Sequence, residues 1–189
     1  MGAMPIAPAN GIQIAYETFG DPVDPTLLLI MGLGAQMIEW PDEFCQHMAD
    51  RGFHVIRFDN RDVGESTWID TPGFDAGEII MGLLMGADAT PPYLLSDMAA
   101  DAAGLLDALG VDAAHVVGAS MGGMITQALA IEHPERVRSI CSIMSTTGDP
   151  DVGQPDPELA TVLLAPRPTE GEEAIQAGIA IVEAISCKE

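Results

Sequence analysis

Ser120 stands in the stretch Gly118-Ala119-Ser120-Met121-Gly122, a serine with a glycine two residues to either side. It follows the apolar run Ala113-Ala114-His115-Val116-Val117 and opens the helical pattern Met124-Ile125…Ala128-Leu129. A strand running through G-x-S-x-G into a helix lifts one hydroxyl above a sheet edge, where it can attack a carbonyl carbon. Gly118 and Gly122 are required because larger side chains would collide across so tight a turn. The motif is common by itself; its place between strand and helix makes it specific.

The elements that must position this turn are legible on both sides of it. Ile12-Gln13-Ile14-Ala15-Tyr16 alternates after Asn10-Gly11, a hairpin signal, so an antiparallel pair should begin the fold. Thr26 to Met31 is a continuous apolar run, as expected for a strand covered on both faces. Trp40, Phe44 and Met48 recur at helical spacing, with Pro41 near the start and Gly52 at the stop, and Phe53 to Phe58 reads as the next strand. A long connection at 68–92 carries an apolar patch at 79–85. Met98, Ala102, Leu105, Leu106 and Leu109 then share one helix face that Gly110 ends. Strand 114–118, the turn, a helix to about His133 and a strand from Val137 to Met144 follow. This alternation predicts an α/β fold with a doubly wound, mostly parallel sheet, whose post-strand loops gather at one edge. Residues 146–157 are rich in Gly, Pro and Asp, and helical patterns at 158–165 and 171–186 come after them.

Composition sets the outer limits. The 189 residues suffice for one well-buried domain. With 29 acidic against 7 basic residues the net charge is −22, which repels nucleic-acid phosphates and anionic lipid heads. No run approaches the roughly 18 apolar residues of a membrane span, and no secretory signal precedes Pro5. Cys45, Cys141 and Cys187 share no metal-ligand spacing, and Cys45 and Cys141 read as core residues in a reducing compartment. The cytoplasm is the expected location.

With these elements in hand, the chain resembles the α/β-hydrolase superfamily, and most of all its aclacinomycin-methylesterase-like branch of small serine esterases. Met31-Gly32-Leu33-Gly34 lies where that family carries its oxyanion loop, with Met31 in place of a frequent His. Asp59-Asn60-Arg61-Asp62-Val63-Gly64-Glu65-Ser66 matches its D-x-R-x-x-G-x-S loop, although Asp62 stands where many members have Gly. His133-Pro134-Glu135-Arg136-Val137 matches the link after the elbow helix. The resemblance implies Ser120 as nucleophile and the N–H groups of Leu33 and Met121 as an oxyanion hole, with Gly32, Gly34, Gly118 and Gly122 shaping the loops. Asp59 and Arg61 are expected to fix a loop rather than to react. The α/β-hydrolase core is expected to occupy 1–145, strands one to six, and a partial helical cap 146–189.

A serine needs a base, and the family's order is Ser, acid, then His. His115 begins the strand that delivers Ser120, and five residues at ~3.3 Å put it ~16 Å away. His133 closes the following helix, ~20 Å off at ~1.5 Å per residue. His54 opens its strand at the opposite end of the sheet, and His47 lies within the first crossover helix. None can reach Ser120. Asp149, after the sixth strand, is more simply a turn former than the acid. The chain therefore reads as the front two-thirds of a hydrolase, ending before its acid and His. Turnover by it should be low, by on the order of 10⁴–10⁶, and strand 137–144 should form an open edge that invites self-association.

The expected activity is hydrolysis of a small or hydrophobic carboxylic ester through an acyl-enzyme, with no metal and no organic cofactor. The expected partner is the small-molecule ester, with no nucleic acid and no membrane span. Lactonase, C–C hydrolase, peptidase, acyltransferase and perhydrolase chemistry are rival readings on this fold. A non-catalytic binder of a small molecule or partner is the rival from another class.

Overall fold

The computed structural model describes residues 4–69, 90–149 and 171–186, with 151, 152, 156, 159, 161, 162, 165 and 168 between them. The chain divides into two compact units, residues 1–70 with 93–153, and residues 71–92 with 154–189. The first unit holds a six-stranded sheet. Its strands are β1 (Ile6–Ala9), β2 (Ile12–Phe19), β3 (Thr26–Ile30), β4 (His54–Phe58), β5 (Ala114–Ala119) and β6 (Val137–Ile143). Its helices are α1 (Asp42–Ala49), α2 (Leu95–Ala108) and α3 (Met121–Glu132). The strand order is β1-β2-β4-β3-β5-β6.

The hairpin joining β1 and β2 turns on Asn10 and Gly11, both at positive φ (48° and 81°), as a two-residue primed turn demands. β2 also pairs antiparallel with β4, while β3 pairs parallel with β4 and β5, and β5 with β6. Every residue of β3 and β4 is buried, which accounts for their lack of polar alternation. Successive side chains of β3 go to opposite faces. Leu28 and Ile30 join Ile14, Ile56, Phe58 and Val116 beneath α2 and α3. Leu27 and Leu29 join Val55, Trp40 and Cys45 on the α1 side. At β3, β4 and β5 the sheet is thus covered on both faces, and it is mostly parallel, the doubly wound arrangement expected from the alternating pattern.

α2 buries Met98, Ala102, Leu105 and Leu106 as its spacing predicts, and Gly110 at φ 69° closes it. At its other end the Asp97 carboxylate accepts the Leu94 N–H at 2.7 Å. α1 differs from expectation. Its buried residue is Cys45, whereas Phe44 stays exposed and stacks on Trp40, their rings 5.6 Å apart. Trp40 lies before the helix begins, so the Trp40-Phe44-Met48 spacing did not define its inner face. β6 closes one end of the strand order, with Arg138 to Ile143 exposed.

In the second unit, α4 (Gly171–Ile185) agrees with the predicted 171–186 pattern and carries Ile175, Ile179, Val182 and Ile185 as an exposed apolar stripe. The patch at 79–85 and half of 158–165 lie outside the described residues. Among the described residues, no helix is long and apolar enough to cross a membrane.

His54 is buried at the start of β4, and its Nδ1 finds no hydrogen-bond partner among the described residues. Burial pushes its pKa below the ordinary 6.5, against the opposing pull of Asp21 and Asp24. The unfolded chain therefore binds this proton more readily than the folded one. The stabilisation is complete above pH 6.5 and is lost as pH falls below it toward the depressed folded value. Denaturant midpoints at pH 7.5 and 5.0 check this: His54→Phe should lose less stability than the parent between the two. Equal losses would contradict it.

Candidate active site

Ser120 joins β5 to α3 at φ 56° and ψ −124°, a left-handed backbone that only glycine adopts without cost. Two hydrogen bonds hold it there. Its N–H donates to the Ile143 carbonyl at 2.9 Å, and its own carbonyl accepts the Gly123 N–H at 2.9 Å. The flanking glycines are required sterically. A Cβ on Gly118 would lie 2.1 Å from the Gly122 carbonyl oxygen, and one on Gly122 would lie 2.2 Å from that of Ile30. The first turn of α3 therefore packs directly on the ends of β3 and β5.

The loop after β3 approaches the same point. A Cβ on Gly32 would stand 3.0 Å from Ser120 Cβ and 3.3 Å from Ser120 Oγ. Leu33 follows, half-exposed, and Gly34 turns the chain at φ 67°. The structure thus brings Gly32, Gly118, Ser120 and Gly122 into one cluster, with Leu33 and Met121 each one residue from a member of it. Met121 opens α3, so its N–H is one of the first-turn donors that have no acceptor within the helix. Those donors carry the partial positive charge of the helix end.

The loop after β4 clamps the Gly32 segment from beneath. Asp59 is buried, its Oδ1 accepting the Met37 N–H at 2.8 Å and its Oδ2 the Glu65 N–H at 3.1 Å. Asn60 Nδ2 donates to the Met31 carbonyl at 2.9 Å. Segment 31–37 is therefore tied at both ends by neighbouring residues. Asn60 was missing from the sequence-derived candidates; its position between Asp59 and Arg61 was the only signal available. Gly64, at φ 52°, is packed so tightly that a Cβ would lie 2.1 Å from Asp59 Oδ2. Arg61 is buried and grips Asp101 through two bonds of 2.7 Å. Burial pulls the Arg61 pKa down, and the Asp101 bonds more than reverse that. Both Asp59 and Arg61 hold loops in place.

Asp62 explains its own departure from glycine. It sits at φ 61°, a conformation Asp tolerates, and its Oδ1 accepts the Ile69 N–H. The Tyr93 hydroxyl is raised well above its ordinary pKa, first by burial and then by its hydrogen bond to Asp62.

All four histidines lie elsewhere. His115 pairs with Leu27 near the start of β5, and its Nδ1 meets Ser139 Oγ at 2.8 Å. His54 pairs with Thr26, at the end of β3 remote from Gly32. His47 is exposed on α1, and His133 ends α3 with its N–H on the Leu129 carbonyl. Asp149 Oδ1 accepts the Asp151 N–H at 2.9 Å, a turn contact. Two surface hollows, of about 510 and 350 Å³, are lined around Asp42 and His47 and around Gly104 and His133; neither borders Ser120.

A parallel-centred sheet with a strained serine between strand and helix, and a glycine loop against it, defines a class of protein. The chain belongs to the α/β-hydrolase fold family, whose sequence profile matches residues 25–169. It is similar to the rhodomycin D methylesterases DauP of Streptomyces sp. (strain C5) and DnrP of Streptomyces peucetius. The identities are 39% and 37% over 140 residues, which cover 74% of this chain and 41% of each relative. A hydrolase of Pseudomonas aeruginosa PA01 matches in structure with a TM-score of 0.61 at 26% identity, over 88% of this chain and 55% of that one. The chain therefore spans less than half the length of the curated relatives it matches.

Proposed function

We propose that this chain carries the nucleophile half of a serine esterase site. In this reading Ser120 Oγ attacks an ester carbonyl, the N–H groups of Leu33 and Met121 receive the oxyanion, and the alcohol leaves as Ser120 becomes acylated. The observation that carries the proposal is the left-handed Ser120 backbone with Gly32 against its hydroxyl. Strain of this kind persists where the surroundings over-determine it and clusters at reactive residues. The similarity to rhodomycin D methylesterases supports a carboxylic ester, small or hydrophobic, as substrate. No step in this reading draws on a metal or an organic cofactor.

Cys45 is buried as expected, whereas Cys141, also expected in the core, is exposed because β6 ends the strand order; both are free, which supports the proposed cytoplasmic location. The exposed β6 supports self-association by strand addition, and the net charge of −22 argues against nucleic acid as a partner. One observation favours a rival reading as a non-catalytic binder: each of the four histidines lies away from Ser120. A fluorophosphonate probe separates the two. Labelling of Ser120 that disappears in Ser120→Ala supports the esterase site; a chain that stays unlabelled supports the binder or an inactive fragment.

A further inference from the structure

Among the described residues, four other than glycine have positive φ: Asn10 at 48°, Asp62 at 61°, Ser120 at 56° and Met144 at 40°. Asn and Asp tolerate that region, and both sit in turns. Ser120 and Met144 lack that excuse, and they are neighbours. Each is the first residue beyond its strand, Ser120 after β5 and Met144 after β6. Those strands are parallel with Ala119 opposite Ile143, and the Ser120 N–H bonds the Ile143 carbonyl at 2.9 Å. Adjacent strands run roughly 4.8 Å apart, which puts the Met144 backbone about one strand spacing from the serine. The Met144 side chain is 65% exposed, so burial in the core does not account for its identity.

Resting on the esterase reading of Ser120, we infer that Met144 is a specificity-determining residue that walls the site for an apolar chain bonded to the reacting carbonyl. A long, unbranched thioether suits a surface that must adapt to flexible apolar groups. Glycine at 144 would relieve the backbone and remove the wall at once. A strained backbone beside a reactive group, at a position that glycine would occupy more cheaply, supports a functional role for the side chain there.

The test compares Ser120 labelling by decyl and ethyl fluorophosphonates in the parent, Met144→Leu and Met144→Gly chains, with thermal midpoints for each. Met144→Gly should raise the midpoint and lower the decyl-to-ethyl rate ratio roughly tenfold, the change that about 1.4 kcal/mol of lost contact produces. Met144→Leu should keep the ratio near the parent's. Met144→Ala reports the same ratio should the glycine variant fail to fold. A higher midpoint with an unchanged ratio overturns the inference and assigns the strain to the strand exit alone. Absence of labelling in the parent overturns the esterase reading and this inference with it.

Discussion

Arg61→Ala should cost about 3–5 kcal/mol of folding stability, the penalty for stranding one member of a buried ion pair. Asp101 is 2% exposed and Arg61 7%, so the carboxylate left behind could not reach water without opening the core. Asp101 also accepts Asn10 Nδ2 at 2.9 Å, and Arg61 lies 4.9 Å from the centre of the Tyr93 ring. Removing the guanidinium therefore loosens the first hairpin, the start of α2 and the loop carrying Asp59 together. At roughly 2–4 °C per kcal/mol for a chain of this size, the thermal midpoint should fall on the order of 10 °C. The double variant Arg61→Leu/Asp101→Leu should recover much of that, because no buried charge remains unpaired. A single variant within about 0.5 kcal/mol of the parent would show that the pair is not buried as described.

Gly122→Ala should be at least as damaging, through backbone collision rather than charge. The added carbon would lie 2.2 Å from the Ile30 oxygen and 2.7 Å from the Met31 oxygen, both main-chain atoms with no side-chain freedom. The cost should exceed the roughly 1–3 kcal/mol of ordinary overpacking, since either α3 or β3 must move. Gly178→Ala is the matched control. Nothing stands within 4 Å of a Cβ there, and α4 should gain up to about 1 kcal/mol of helix propensity. Urea unfolding of both variants checks the contrast. A Gly122→Ala chain as stable as the parent would mean that α3 does not pack on β3 through this residue.

The site was readable where the signal was local. Asn10-Gly11 dictated a primed turn, the unbroken Thr26–Met31 run dictated a strand buried on both faces, and Gly118 and Gly122 marked a turn too tight for side chains. The positions missed depend on distant partners. Cys45 rather than Phe44 faces inward on α1 because the sheet residues Leu27, Leu29 and Val55 decide which side of that helix is covered. Arg61 finds Asp101 forty residues away, and Asn60 finds Met31 twenty-nine residues back. Spacing along the chain contains neither pairing. Met144 looked like the end of a strand, and only its backbone angle distinguishes it from its neighbours.

The most direct test of Ser120 as an acyl acceptor is the mass of the chain after exposure to an activated ester such as p-nitrophenyl acetate. The p-nitrophenolate leaves without needing a proton, which favours acylation, whereas deacylation must activate water and every histidine lies away from Ser120, so an acyl group once transferred should persist. The expected result is one acetyl group per chain, mapped to Ser120, stable over hours and absent from Ser120→Ala. A chain that gains no acetyl group, or gains it equally with Ser120 replaced, would contradict the account.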